Sequence, residues 1–329
     1  MTRERLLGWS TLIAAAVIPL IATDYWLYLL TLMAIYGIVA LGLNLLTGLS
    51  GQISLGHAGF FAVGAYVASV LASKYAVAFP LAAALAVAAG WAIGFLVGIP
   101  AVRLQGLYLA IATLAFGIGV ERAIYTFKGL TGGPYGLIVN PPSVFGFVAN
   151  NPTKLYYLAV AVATVSVLFV SNVVGSAAGR RMIAMRDSEL AAASMGVNVP
   201  RLKVLTFAFS AALAALGGVL YAPALGFISV EQFTLWLSIT FISLIVIGGL
   251  GSIPGSFLGA AFVVLVPELL RGLGAYFQIV YGLAMILVFV FWPTGLIGLL
   301  TVVGRRAHIL GPSSKALAVP SGTTSEAQQ

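Results

Sequence analysis

Apolar runs of 16 to 26 residues recur along the sequence, most of them long enough to cross a bilayer as a helix. They lie over 6–23, 25–47, 58–73, 76–100, 104–124, 155–174, 204–226, 232–251, 254–270 and 275–300. Charge is scarce between them: 7% of the residues are Asp, Glu, Lys or Arg and 61% are hydrophobic, where a soluble globular chain carries roughly 25% charged residues. In water such a chain would expose broad apolar surface and aggregate; in lipid that surface faces acyl chains. Backbone groups left unpaired in lipid are costly, and the strict alternation of barrel strands is absent, so the runs are helices. The fold class is all-α: a polytopic transmembrane helix bundle of about ten spans, with a broken or short helix near residues 48–60. The first run follows Arg3 and Arg5 in the manner of a signal peptide. It has no convincing small-x-small cleavage site and soon meets Asp24 and a second run, so it reads as a retained helix.

Basic residues orient the bundle. With the N-terminus in the cytoplasm, the inner segments hold Arg3, Arg5, Arg103, Arg180, Arg181, Arg186, Arg201, Lys203, Arg305, Arg306 and Lys315. The outer segments and outer helix ends hold Lys74, Arg122, Lys128, Lys154 and Arg271. Eleven against five is the sign the positive-inside rule requires. The expected arrangement is a multi-pass membrane protein with both termini cytoplasmic. The net charge of +8 is therefore topological, and no nucleic-acid partner is implied. With no cysteine and only His57 and His308, disulfides, thiolate chemistry and a histidine-rich metal site are excluded. No G-x-x-x-x-G-K-[ST] phosphate loop occurs, so hydrolysis of ATP is not expected of this chain.

The transmembrane domain occupies 1–304, and a tail over 305–329 lacks apolar periodicity and is expected to be disordered. Two loops exceed simple connectors. Residues 128–154, rich in Gly, Pro and Asn, favour turns and face outside, either meeting a solute-delivering partner or linking two five-helix halves. Residues 175–203 form the longest inner loop. Gly48-Leu49-Ser50-Gly51 and Gly249-Leu250-Gly251-Ser252 form a faint internal repetition, each joining an apolar span to a short one.

Three constellations carry candidate function. The stretch GLSGQISLGHAGF (48–60) sets four glycines among Ser50, Gln52, Ser54 and His57. Its glycines either break a helix and line a solute path or pack helices closely. Asn44, Gln52, Ser54, His57, Tyr66, Tyr108 and Thr113 are candidate lining residues. Glu121 with Arg122, and Glu268 with Arg271, sit near span ends, where snorkelling lowers the cost of charge, and the latter two are spaced to pair. No acidic residue stands mid-span, which argues against a proton-driven carrier. Within the inner loop, Met182 to Met195 favour one short helix that Gly196 closes. Such an element either docks on a soluble partner or is an inert amphipathic connector.

The pattern Arg186-Asp187-x-Glu189-x-Ala191-Ala192-x-x-x-Gly196 resembles the cytoplasmic coupling loop of ABC importer permeases. It departs from the general form in placing Leu190 between the acidic residue and the alanine pair. LGLNLLTGLSGQISLGHAGFFAVGAY (41–66), VRLQGLYLAIATLAFG (102–117), LTGGPYGL (130–137), FSAALAALGGVLYA (209–222), IVIGGLGSIPGSFLGA (245–260) and FWPTGLIGLL (291–300) are similar to the LivM-type permease family. The likeness runs over most of 25–300. It implies a permease subunit that is not itself an enzyme and holds no cofactor, with ATP and Mg²⁺ on partner ATPases. The implied partners are a LivH-like second permease, two ABC ATPase subunits, an extracytoplasmic solute-binding protein and membrane lipid. The implied docking element is Arg186, Asp187, Glu189, Ala191, Ala192 and Gly196, and the implied solutes are branched-chain or related amino acids. A urea or amide permease of the same family, an ion-driven secondary carrier and a passive channel for a small neutral solute are the alternatives.

Overall fold

A computed structural model of the protein describes residues 18–20, 22–144, 147–292 and 295–298. The run 6–23 lies for the most part outside them, and the tail 305–329 lies wholly outside. The other nine runs are helical. They are α1 (Asp24–Leu43), α2 (His57–Lys74), α3 (Phe79–Ala101), α4 (Leu107–Thr126), α5 (Pro152–Gly175), α8 (Val199–Leu225), α9 (Leu235–Gly248), α10 (Ile253–Leu269) and α11 (Phe277–Phe291). Helix α1 continues into a π-helical turn, Asn44–Leu49, and the long inner loop holds α6 (Ala177–Asp187) and α7 (Glu189–Ser194).

Among the described residues, α1 with its π turn, α3, α4, α5 and α8 are long and apolar enough to cross a membrane, whereas α9, α10 and α11 are apolar but shorter. The 14 residues of α9 reach about 21 Å, short of the roughly 30 Å hydrocarbon core. The run 232–251 overstates this helix. Its first residues form a 3₁₀ turn, Val230–Phe233, and its last glycines leave the helical region, Gly249 at φ +119° and Gly251 at φ +79°.

Helix α8 is the axis of the bundle. It packs against α3, α2 and α1, and most of it is buried. Its composition permits this. Ala208, Ala211, Ala214, Ala215, Gly217 and Gly218 keep its surface thin, and α3 answers with Ala82, Ala86, Gly90, Gly94 and Gly98, a small residue every fourth position along its buried stripe. A methyl group at Gly94 would collide with the Ala211 side chain, and one at Gly98 would stand 3.1 Å from the Val204 Cα. In lipid, where apolar contact alone gives helices no preference for one another, such close approach lets dispersion hold them. A second layer of Tyr36, Phe61, Tyr221, Phe233 and Phe241 fills the middle with ring contacts 4.9–6.5 Å apart. Helices on both sides of the 128–154 loop interleave in this one core, with α1 packed on α5, α8 and α10.

The chain ends of the helices gather at two faces. At one, Lys74 Nζ donates to the Gly129 carbonyl, β1 (Leu137–Ile138) pairs with β4 (Phe227–Ile228), and Arg271 reaches the Tyr25 hydroxyl at 3.3 Å. Arg271 also pairs with Glu268 at 3.6 Å, as their spacing predicts. Beside β1 the 128–154 loop forms one helical turn and a two-stranded ribbon of β2 (Ser143–Val144) and β3 (Phe147–Val148). The other face collects the 44–56 and 249–252 joints, the 101–106 turn and the 176–198 segment.

Candidate functional site

The glycine-rich joints of the two faintly similar stretches meet in space. In the first, Gly51 takes φ +73°, a region glycine enters freely, and the helix ends. The Leu46 carbonyl then accepts from the Gln52 N–H at 3.1 Å and the Ser50 hydroxyl at 2.6 Å. In the second, Ser252 caps α10, its oxygen accepting from the Gly255 N–H at 3.1 Å. Asn44, at the head of the π turn, bolts the joints together. Its Oδ1 accepts from the Gly251 N–H at 2.6 Å, and its Nδ2 donates to the Ser252 carbonyl at 2.9 Å and the Ser256 hydroxyl at 3.1 Å. Contact is tight enough that a methyl at Gly48 would come within 2.5 Å of the Gly251 nitrogen. π turns inside helices recur at functional positions because they hold backbone geometry that an α-helix does not.

His57 knits the first joint to α8 and α1. Ser210 Oγ donates to the Gly42 carbonyl at 2.6 Å, so its proton is committed, and His57 Nε2, 2.8 Å away, is the donor to it. In the neutral imidazole Nδ1 then accepts from Ser54 Oγ at 2.9 Å. Thr113 ties the same joint to α4, accepting from the Leu55 N–H and donating to the Ala110 carbonyl, both at 2.9 Å. Asn44, Ser54, His57 and Thr113 thus spend their polar atoms inside the chain. Tyr108 stands apart, 75% exposed on the outer flank of α4. Gln52 and Tyr66 differ from both: Gln52 Oε1 and the Tyr66 hydroxyl are buried without a hydrogen-bond partner among the described residues, as are Ser69 Oγ and Ser73 Oγ. Tyr66, Ser69 and Ser73 follow at three- and four-residue steps, one face of α2. Ser69 and Ser73 escaped the sequence reading, although the hydroxyl period in GAYVASVLASK signals them.

The surface segment differs from the single helix expected over Met182–Met195. Ser188 takes an extended conformation and caps a new helix, its hydroxyl accepting from the Ala191 N–H at 3.2 Å. The result is α6, then α7, then Gly196 at φ +82°. Met182, Met185 and Ala192 turn inward. Arg186 Nη1 donates to the Gly48 carbonyl at 2.5 Å. Glu189 is gripped from two sides, its Oε1 2.6 Å from Lys203 Nζ and its Oε2 accepting from Gln105 Nε2 at 3.0 Å. Two of the six expected docking residues, Arg186 and Glu189, therefore direct their charged ends to the bundle, while Asp187, Ala191 and Gly196 remain exposed. The largest outward apolar groups are Leu190, 81% exposed, and Met195, 85% exposed. The sequence marked Leu190 only as a departure from the loop pattern, Met195 only as a helix end and Lys203 only as an inner basic residue, and it did not mark Gln105, because exposure and partner choice are not encoded locally.

Interrupted helices meeting at one face of an apolar bundle, with a helical segment lying across them, are features shared with membrane transport subunits. The family of branched-chain amino acid transport system permease components matches residues 25–289, and the chain belongs to that family. It is 33% identical over 319 residues to the high-affinity branched-chain amino acid transport system permease protein LivM of Salmonella typhimurium, covering 90% of this chain and 75% of that one. The same figures hold for LivM of Escherichia coli. LivH of Salmonella typhimurium, the permease protein of a similarly named system, is 24% identical over 294 residues, 82% of this chain and 92% of that protein. No solved structure matches the chain. The protein is a multi-pass membrane permease subunit of an amino acid ABC importer.

Proposed function

We propose that this subunit passes branched-chain or related amino acids across the bacterial inner membrane, driven by two separate ATPase subunits, one of which docks on the 176–198 segment. A LivH-like permease completes the passage, and an extracytoplasmic binding protein delivers the solute to the opposite face. ATP and Mg²⁺ stay on the partners, since this chain has no phosphate loop. The joint face carries Arg103, Arg180, Arg181, Arg186, Arg201 and Lys203, which favours a cytoplasmic assignment for it and for both termini.

One observation carries the reading. The segment is anchored inward through Arg186, Glu189 and Met185, and yet presents Leu190 and Met195 to solvent at its turn. Two large apolar groups on a short polar element form a plug suited to a hydrophobic groove on a soluble partner. Affinity capture of the tagged chain from its native membrane tests this. An ATPase should be retained, and Leu190→Glu with Met195→Glu should release it. Retention unchanged by both substitutions, or uptake by this chain alone in liposomes under an ion gradient, would overturn the reading. Competition of leucine uptake by urea and acetamide separates the amide-permease alternative.

A further inference from the structure

We propose that Arg186 and Asn44 are positioning residues that tie the surface segment to both helix joints, so that α6 moves only together with the ends of α1, α9 and α10. The inference rests on the docking reading above and says where a push on the segment goes.

The connection is built of consecutive contacts. Arg186 caps the Gly48 carbonyl, at the end of the π turn, where helical carbonyls lose their intrahelical donors. A guanidinium is rigid and permanently charged, so this bond keeps both direction and strength. Its aliphatic stem lies flat on the joint: a methyl at Gly51 would sit 3.2 Å from Arg186 Cγ and 3.6 Å from its Cα. From Gly48 the path is covalent and short. Asn44 lies four residues earlier, beneath it in the same π turn, and holds the second joint at the Gly251 N–H and the Ser252 carbonyl. Behind that joint, Gly295 at φ +75° presses on the Gly249 backbone, where a methyl would come within 2.5 Å of both its nitrogen and its Cα.

The other half of the segment is anchored elsewhere. Glu189 binds Lys203 on α8 and Gln105 in the turn before α4. Ser188, extended and capping, separates the two halves. One half is therefore fixed to the central helix while the other is fixed to the joints. A load on the exposed Leu190 of α7 passes through Ser188 to α6 and bears on the π turn, a packed element with discrete arrangements rather than a continuously deformable one.

The test uses the intact transporter, co-purified with its ATPases and binding protein and reconstituted in liposomes. Arg186→Ala should retain the ATPases and hydrolyse ATP within twofold of wild type, while ¹⁴C-leucine taken up per ATP falls at least tenfold. Arg186→Lys, a single-point donor, should recover part of that ratio. The cysteine-free chain allows a second readout: a spin label on Leu250→Cys, beside the second joint, should change mobility on vanadate trapping in the wild type and not in Arg186→Ala. Asn44→Ala should abolish the same spectral response with Arg186 intact. An unchanged uptake-to-ATP ratio, or a spectral response that survives Arg186→Ala, overturns the proposal. Loss of the ATPases on Arg186→Ala also overturns it, by making Arg186 a docking contact and leaving the docking reading intact. A wild-type preparation with no ATPase overturns that reading instead, and the proposal with it.

Discussion

Lys203 is 3% exposed, and its ammonium lies 2.6 Å from a Glu189 carboxylate that is 39% exposed. The pair joins the surface segment to the start of the central helix, Lys203 being its fifth residue. Removing one member of such a pair leaves the other charge buried and costs about 3–5 kcal/mol in a dry site. The partial exposure of Glu189 brings that to about 2 kcal/mol. Glu189→Gln should therefore lower the melting temperature in detergent, and Glu189→Lys should prevent accumulation of folded protein by facing two cations. The charge swap Glu189→Lys with Lys203→Glu should recover folded protein. Equal melting of all four proteins would show that the pair contributes nothing.

Packing of α3 on α8 should be intolerant of volume. Gly94→Val drives a branched side chain into Ala211, and overpacking of this kind costs about 1–3 kcal/mol. Gly119, on α4, has nothing within 4 Å of where a Cβ would stand. Gly119→Val is the matched control and should leave thermal stability and gel-filtration behaviour unchanged.

The unpartnered hydroxyls on α2 separate stability from transport. A buried polar atom with no partner costs about 1–3 kcal/mol, and its removal is neutral or stabilising. Tyr66→Phe and Ser69→Ala should each raise or hold the melting temperature. Their uptake of leucine should fall several-fold if these hydroxyls meet water or solute in the working transporter. Unimpaired uptake would assign them to packing alone.

Topology is directly measurable because there is no native cysteine to remove. In vesicles from cells that express this chain without its ATPases, Leu190→Cys should react with an impermeant maleimide only when the vesicles are inside-out. Tyr135→Cys, exposed in the loop of the opposite face, should react only in right-side-out vesicles. The reverse pattern would invert the assignment of the joint face to the cytoplasm.

The membrane class, the nine described helices that arise from apolar runs and the position of the surface segment were legible in the sequence. Hydropathy is a local and additive property, so a run of apolar residues declares a span whatever surrounds it. The glycine joints were legible too, since backbone freedom belongs to the residue itself. What each polar side chain does was not. Asn44 and Gly251 are 207 residues apart, and nothing near either shows that one bolts the other. Only the tertiary structure turns Arg186 and Glu189 inward, leaves Leu190 and Met195 facing out, and shows Asn44, Ser54, His57 and Thr113 saturated with internal partners. The reason is physical: in a low-dielectric bundle each polar atom must find whichever partner the packing brings within about 3 Å, and packing is decided by the whole chain.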